Sequence, residues 1–181
     1  MTGLLTRAMT GTLDAPTEAL AFERAASAVQ RKLFAIAFGV LRDPAEAEEA
    51  LQETFLLAWR NWANLRERSA PDGWFAKICV NHCIRRRASL LKKWRTTTEQ
   101  DERRAAADSH LTNGGEHADL DRAYKRLSRQ QRAVVVLHYY HGYSLVECGD
   151  LMNCRPGTVA SHLSRALAAL RVQLTAEEVE Q

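Results

Sequence analysis

The sequence predicts an all-α chain built as two small helical domains joined by a flexible acidic linker, the second carrying a helix-turn-helix. Three observations point there. Apolar residues recur at steps of three and four through several long stretches. Only four prolines and nine glycines interrupt 181 residues. Between the periodic stretches lies an aperiodic run, 96–119, in which Glu99, Asp101, Glu102, Asp108, Glu116 and Asp119 face only Arg103 and Arg104, around the pair Gly114-Gly115. The expected boundaries are 17–95, 96–119 and 120–174, after a loose leader.

The bulk properties exclude more than they specify. A hydrophobic content of 46% is that of a globular chain, and a net charge of +3 is too small to indicate a nucleic-acid partner without a local cluster. No apolar run is long enough to cross a bilayer, and the first residues lack a signal peptide's apolar core, so no membrane insertion and a cytoplasmic location are expected. No phosphate loop and no nucleophile with a positioned base appears, so no catalytic residue and no cofactor is expected. Cys79, His82 and Cys83 could be drawn as metal ligands and Cys148 with Cys154 as a redox pair. Neither set has a closed zinc pattern, and free cysteine packs as a small apolar side chain, so no metal site is expected.

In chain order, Phe22, Ala26, Val29, Leu33, Ile36 and Val40 mark a first amphipathic helix ending near Leu41. "DPAE" starts the next: Asp43 is the N-cap, Pro44 takes the first helical position, and Glu46 completes a capping box. Along that helix, to about Trp62, Ala47, Leu51, Phe55, Ala58 and Trp62 form a buried stripe. Glu48, Glu49, Gln52 and Glu53 lie beside or opposite it. Acids early in a helix suit its dipole, but Leu56 and Trp59 near them fit a partner surface better. A third helix from about Trp74 turns Trp74, Phe75, Ile78, Cys79 and Ile84 inward and runs into "NHCIRRRASLLKKWR", whose Arg85, Arg86, Arg87, Lys92, Lys93 and Arg95 beside Trp94 favour a nucleic-acid surface over a merely solvated end.

After the acidic run, helices are expected around 120–127 and from Ser128 to Tyr140. "SLVECGDLMN" then reads as a short helix with Ser144 as N-cap, Glu147 closing a capping box, and Leu145, Cys148 and Leu151 inward. Gly149 permits close approach of a second helix, and Asn153 tolerates the left-handed backbone of a tight turn. The second helix starts at Pro156. It buries Val159, Leu163, Ala166, Leu167 and Leu170 and leaves Thr158, Ser161, His162 and Arg165 on a face bare of bulky side chains, small enough to enter a DNA groove. Alone, such a pair also fits a helical hairpin in a core, or a regulator that binds a duplex operator without any other protein.

Together, "DPAEAEEALQETFLLAWRNW", "WFAKICVNHCIRRR" and "AYKRLSRQQRAVVVLHYYHGYSLVECGDLMNCRPGTVASHLSRALAALR" resemble the extracytoplasmic-function (ECF) group of bacterial sigma-70-type sigma factors. The resemblance implies a non-enzymatic subunit that docks on core RNA polymerase, binds promoter DNA, and answers to a separate anti-sigma factor. It assigns Glu48, Glu49, Gln52, Glu53 and Trp59 to the polymerase contact. Lys77, Asn81, His82 and Arg86, with the loop 64–69, go to the melted −10 element. Arg155, Thr158, Ser161, His162 and Arg165 go to the −35 element in the major groove. The chain departs from the family pattern at Ala160 and His162, where basic residues are usual, and at Arg85, which replaces a frequent acid. Glu49 stands for the usual aspartate and keeps its charge. The family's linker threads into polymerase channels otherwise occupied by nucleic acid, a role that the negative run 96–119 would suit.

Overall fold

The computed structural model describes residues 15–65, 71–85 and 118–178; residues 1–14, 66–70, 86–117 and 179–181, which take in Arg86, Arg87, Lys92, Lys93, Trp94, Arg95 and most of the acidic run, lie outside the described residues. The chain forms α1 (Ala15–Leu41), α2 (Pro44–Asn61) with a 3-10 turn at Trp62–Asn64, and α3 (Asp72–Arg85). A second group follows: α4 (Ala118–Arg126), α5 (Arg129–Val135) continued by a π turn at Val136–Tyr140, α6 (Leu145–Met152) and α7 (Pro156–Glu178). All described regular structure is helical, in two subdomains, α1–α3 and α4–α7.

The helix ends follow from local chemistry. The Asp43 carboxylate accepts from the Glu46 backbone N–H at 2.8 Å, satisfying a donor of the first turn of α2. The Glu46 carboxylate also reaches across the molecule to Arg129, 3.6 Å away. Full capping boxes form at Ser128 with Gln131 and at Ser144 with Glu147. The Ser144 hydroxyl and backbone N–H both donate to the Glu147 carboxylate, which holds it below its ordinary pKa.

In the first subdomain α1 packs on α2 and α3, and Phe75 is fully buried among Phe22, Phe55, Trp62 and Trp74, with ring centroids 5.2–6.2 Å away. The stripe of α2 is buried as expected at Ala47, Leu51, Ala58 and Trp62, joined by Ala50 and Thr54, while Phe55 is half-buried. The Thr54 hydroxyl is satisfied within its own helix by the Ala50 carbonyl at 2.7 Å. In the second subdomain α7 lies against α4, α5 and α6. Leu167, expected on its buried stripe, is 37% exposed. It borders an open cavity of about 940 Å³ whose wall includes Phe38, Tyr124, Tyr140 and Leu170.

The two subdomains are not merely tethered. α1 packs on α5 and the π turn, and α3 packs on α5 and α6. One continuous core runs from Leu33, Ile36, Val40 and Cys79 to Val134, Leu137, Cys148 and Leu151. Gly39 makes the closest approach possible, since a Cβ there would stand 2.5 Å from Cγ2 of Val136.

Candidate nucleic-acid and partner interfaces

The α6–α7 pair is built by its turn. Asn153 ends α6 in the left-handed conformation, φ 55 and ψ 47, and Cys154 donates its N–H to the Gly149 carbonyl at 2.9 Å. A Cβ on Gly149 would meet the Cys154 carbonyl oxygen at 2.8 Å, so only glycine lets the turn fold this tightly over α6. Pro156 then opens α7, where its missing N–H costs nothing. Val159 and Ala166 are fully buried beneath. Arg155, Thr158, Ala160 and Arg165 are exposed, and Ser161 and His162 are half-buried. The outward face therefore carries short groups and two guanidinium groups, Arg155 at its start and Arg165 nearly three turns on.

On α2, Glu48, Glu49, Gln52 and Glu53 are all exposed. Beside them Leu56 is 50% and Trp59 47% exposed, with Trp59 held edge-on to Phe22 at 5.1 Å. An acidic strip with two apolar side chains suits a basic partner surface carrying an apolar contact.

α3 places its candidates differently. Lys77 is exposed, but Asn81 and His82 are half-buried. The Asn81 side-chain amide nitrogen donates to the Lys77 carbonyl at 2.7 Å and to the Leu151 carbonyl of α6, also at 2.7 Å. Of the loop 64–69, Asn64 is exposed and 66–69 lie outside the described residues.

A set of residues that sequence reasoning missed joins the subdomains beside this site. Arg42, in the left-handed conformation at φ 60 just after α1, pairs with Asp121 of α4 and sits over the rings of Phe38 and Tyr124, 5.2 and 5.4 Å from their centroids. The Tyr124 hydroxyl lies 3.1 Å from the Gly39 carbonyl and 3.3 Å from that of Arg132. Burial pushes its pKa far above the ordinary phenol value. Lys32 of α1 lies over the ring of Tyr143, 5.0 Å from its centroid. These pairs join residues as far apart in sequence as Lys32 and Tyr143, so no local pattern announces them.

All four cysteines are free, and Cys79, Cys83 and Cys148 are buried. The Cys79 thiol contacts the Leu33 carbonyl at 3.7 Å, and a hydrogen bond with Cys83 lowers its pKa. Burial pushes Cys148 up to about 11, away from the reactive thiolate. Among the described residues no group of histidines, cysteines and acids could hold a metal ion, and no described helix is long and apolar enough to cross a membrane.

Residues 26–96 match the family model for sigma-70 region 2, and residues 117–170 that for sigma-70 region 4. The chain is 28% identical over 168 residues to an RNA polymerase sigma-E factor of Streptomyces antibioticus, covering 90% of this chain and 89% of the relative. It is 30% identical over 149 residues to the ECF RNA polymerase sigma factor SigL of Mycobacterium tuberculosis, covering 78% and 82%. Among solved structures it resembles the sigma factor RpoE in complex with the anti-sigma factor NepR from Bartonella quintana, at a TM-score of 0.58 and 21% identity, over 85% of this chain and 96% of that one. CnrH in complex with the cytosolic domain of CnrY matches at a TM-score of 0.56 and 20% identity, over 90% and 97%. The chain belongs to the ECF group of sigma-70-type sigma factors, non-enzymatic proteins that bind core RNA polymerase and direct it to promoters.

Proposed function

We propose that α6 and α7 form a helix-turn-helix whose second helix reads the −35 element in the major groove, within a domain spanning 120–174. The observation that carries this reading is the outward face of α7, where Arg165 stands clear of the core among short polar groups. A guanidinium matches the two acceptors of guanine in paired geometry. Thr158 and Ser161 suit shorter contacts, and Arg155 and His162 lie toward the phosphates.

The domain 17–95 supplies the other two contacts. The exposed face of α2, with Glu48, Glu49, Gln52, Glu53 and Trp59, docks on the clamp helices of core polymerase. α3 engages the melted −10 element through Lys77, Asn81, His82 and Arg86. An amide there hydrogen-bonds the exposed edge of an unstacked base while the cations hold phosphates. The segment 96–119 links the two and enters the polymerase. An anti-sigma factor, the kind of partner present in the RpoE and CnrH complexes, controls the protein in the cytoplasm.

Run-off transcription with purified core polymerase tests the reading. Wild type is expected to initiate at a defined promoter, and lysines at 49, 52 and 53 to abolish co-purification with core enzyme while leaving helix content unchanged. Unaltered co-purification of the lysine variant would overturn the docking assignment.

A further inference from the structure

We propose that Arg132, with Arg129 and Arg42 beside it, forms a binding site for the phosphoryl oxyanion of a small phosphate compound, a diphosphate group fitting its charge best.

The cluster lies where α4 and α5 meet the end of α1 and the start of α2, and none of its residues is among those assigned to promoter DNA or polymerase. Its two carboxylates are already engaged. Asp121 pairs with Arg42 and, from its other oxygen, with Lys125 at 2.7 Å. Glu46 pairs with Arg129 at 3.6 Å. Among the described residues Arg132 pairs with no acid; its guanidinium donates to the Lys125 carbonyl, a neutral acceptor 3.4 Å away. Four cations therefore face two acids, and the unmatched guanidinium is half-buried, where solvent screens it less than on open surface.

Two observations show that the cluster is not satisfied by its own side chains. The Nε–H groups of Arg42 and Arg132 are buried and meet no acceptor among the described residues. Burial disfavours the charged form of Arg132, and Arg129 and Arg42 add to that against the pull of Tyr124 and Glu46, so its pKa falls below the ordinary arginine value. An oxyanion seated among the three guanidinium groups offsets their repulsion and takes up their donors in pairs, the geometry that a planar fork offers to phosphoryl oxygens. The unmatched charge exceeds what a single carboxylate or chloride supplies, which favours a multiply charged group. The Arg42 and Arg129 side chains are only 22% and 20% exposed, so the site is recessed and admits a small anion more readily than the backbone of a stiff duplex.

The test uses the full-length protein with sodium pyrophosphate as the probe. Isothermal titration calorimetry at fixed ionic strength reads binding, with chloride and acetate for comparison, and thermal unfolding reads the linked stabilisation. The wild type is expected to bind pyrophosphate saturably and to gain thermal stability as its concentration rises. Arg132→Gln should weaken binding by about tenfold. Arg132→Lys, which keeps the charge and loses the fork, should weaken it less. Glu46→Gln should tighten binding severalfold, because it frees Arg129 from its carboxylate while Asp43 still caps α2. A merely structural role of the cluster would not give these opposite signs. Arg24→Gln, which removes an exposed arginine of α1 outside the cluster, should leave the affinity unchanged, and circular dichroism confirms that every variant keeps its helix content. A −35 duplex separates the two sources of a phosphoryl group: its affinity should be indifferent to pyrophosphate at fixed ionic strength and to Arg132→Gln. Competition between pyrophosphate and the duplex, with a shallower salt dependence in Arg132→Gln, would give the site to the DNA backbone and overturn the proposal. Pyrophosphate binding no tighter than that of acetate, or equal in wild type and Arg132→Gln, would overturn it as well.

Discussion

Asn81 on α3 and Arg165 on α7 are both assigned to promoter DNA, and the folded chain treats them in opposite ways. Arg165 projects from a helix whose underside is closed by Val159 and Ala166, with the outer face left open. Asn81 is half-buried, and its amide is tied to a carbonyl of the other subdomain. The difference is one of readiness. The face proposed to read duplex is complete within its own subdomain, held by the Asn153 turn and the Gly149 approach. The face proposed to read single strand touches the other subdomain through Asn81. That order suits the chemistry, since duplex is present from the start and single strand only after melting.

The α6–α7 turn is where a single substitution has the largest effect. Gly149→Val places a branched side chain where a single Cβ would already stand 2.8 Å from a backbone oxygen. The turn must deform, at a cost of about 1–3 kcal/mol for the overpacking. Urea denaturation should show the loss of stability and −35 binding should collapse, while co-purification with core polymerase persists through α2. Retained −35 specificity in this variant would mean that α7 is not oriented by the turn.

Arg165→Ala is the milder break on the same side. It should weaken binding to the preferred −35 element by about 1–3 kcal/mol and relax the preference at one base position, measured on a panel of promoter variants at two salt concentrations. A uniform loss across the panel with a shallower salt dependence would make Arg165 a phosphate contact.

Gly39→Ala sharpens the other side. The added Cβ meets the stiff Val136 side chain rather than either member of the Arg42–Asp121 pair. It should wedge α1 from the π turn and raise the radius of gyration while leaving −35 binding within about twofold of wild type. A compact variant with impaired −35 binding would reverse the prediction.

The smallest effect is expected from pH. Burial, with Lys32 nearby, holds the His141 pKa below its ordinary 6.5. Above that value the histidine is neutral in both folded and unfolded chains and contributes no pH dependence. As pH falls below 6.5 the unfolded chain takes the proton first, so stability declines until the folded-state pKa is passed and then levels off. Urea midpoints between pH 8 and pH 5 should show this decline, and His141→Gln should flatten it.

How much of this was legible in the sequence follows from range. Caps and turns are local: Asp43, the Ser144 and Glu147 box, Gly149 and Asn153 could be read because each acts within a few residues of itself. The outward faces of α2 and α7 were legible because helical periodicity assigns sides. Periodicity does not say which second surface a helix meets. Glu46 has a second partner in Arg129 that no pattern announced, Leu167 was read as core and lies at a cavity's edge, and Arg42 with Asp121 carried no signal at all. The same limit hid the state of Asn81, whose type and position were readable while its partner, 70 residues away, was not.

The most direct test of the contrast presents the free, full-length protein with two probes from one promoter: a −35 duplex and a −10 non-template single strand, each with a scrambled control. The account predicts specific binding of the duplex by the free protein and near-equal affinity for the two single strands, with specificity for the −10 strand emerging once core polymerase is added. Specific binding of the −10 strand by the wild-type protein, with no increase in its radius of gyration, would contradict it.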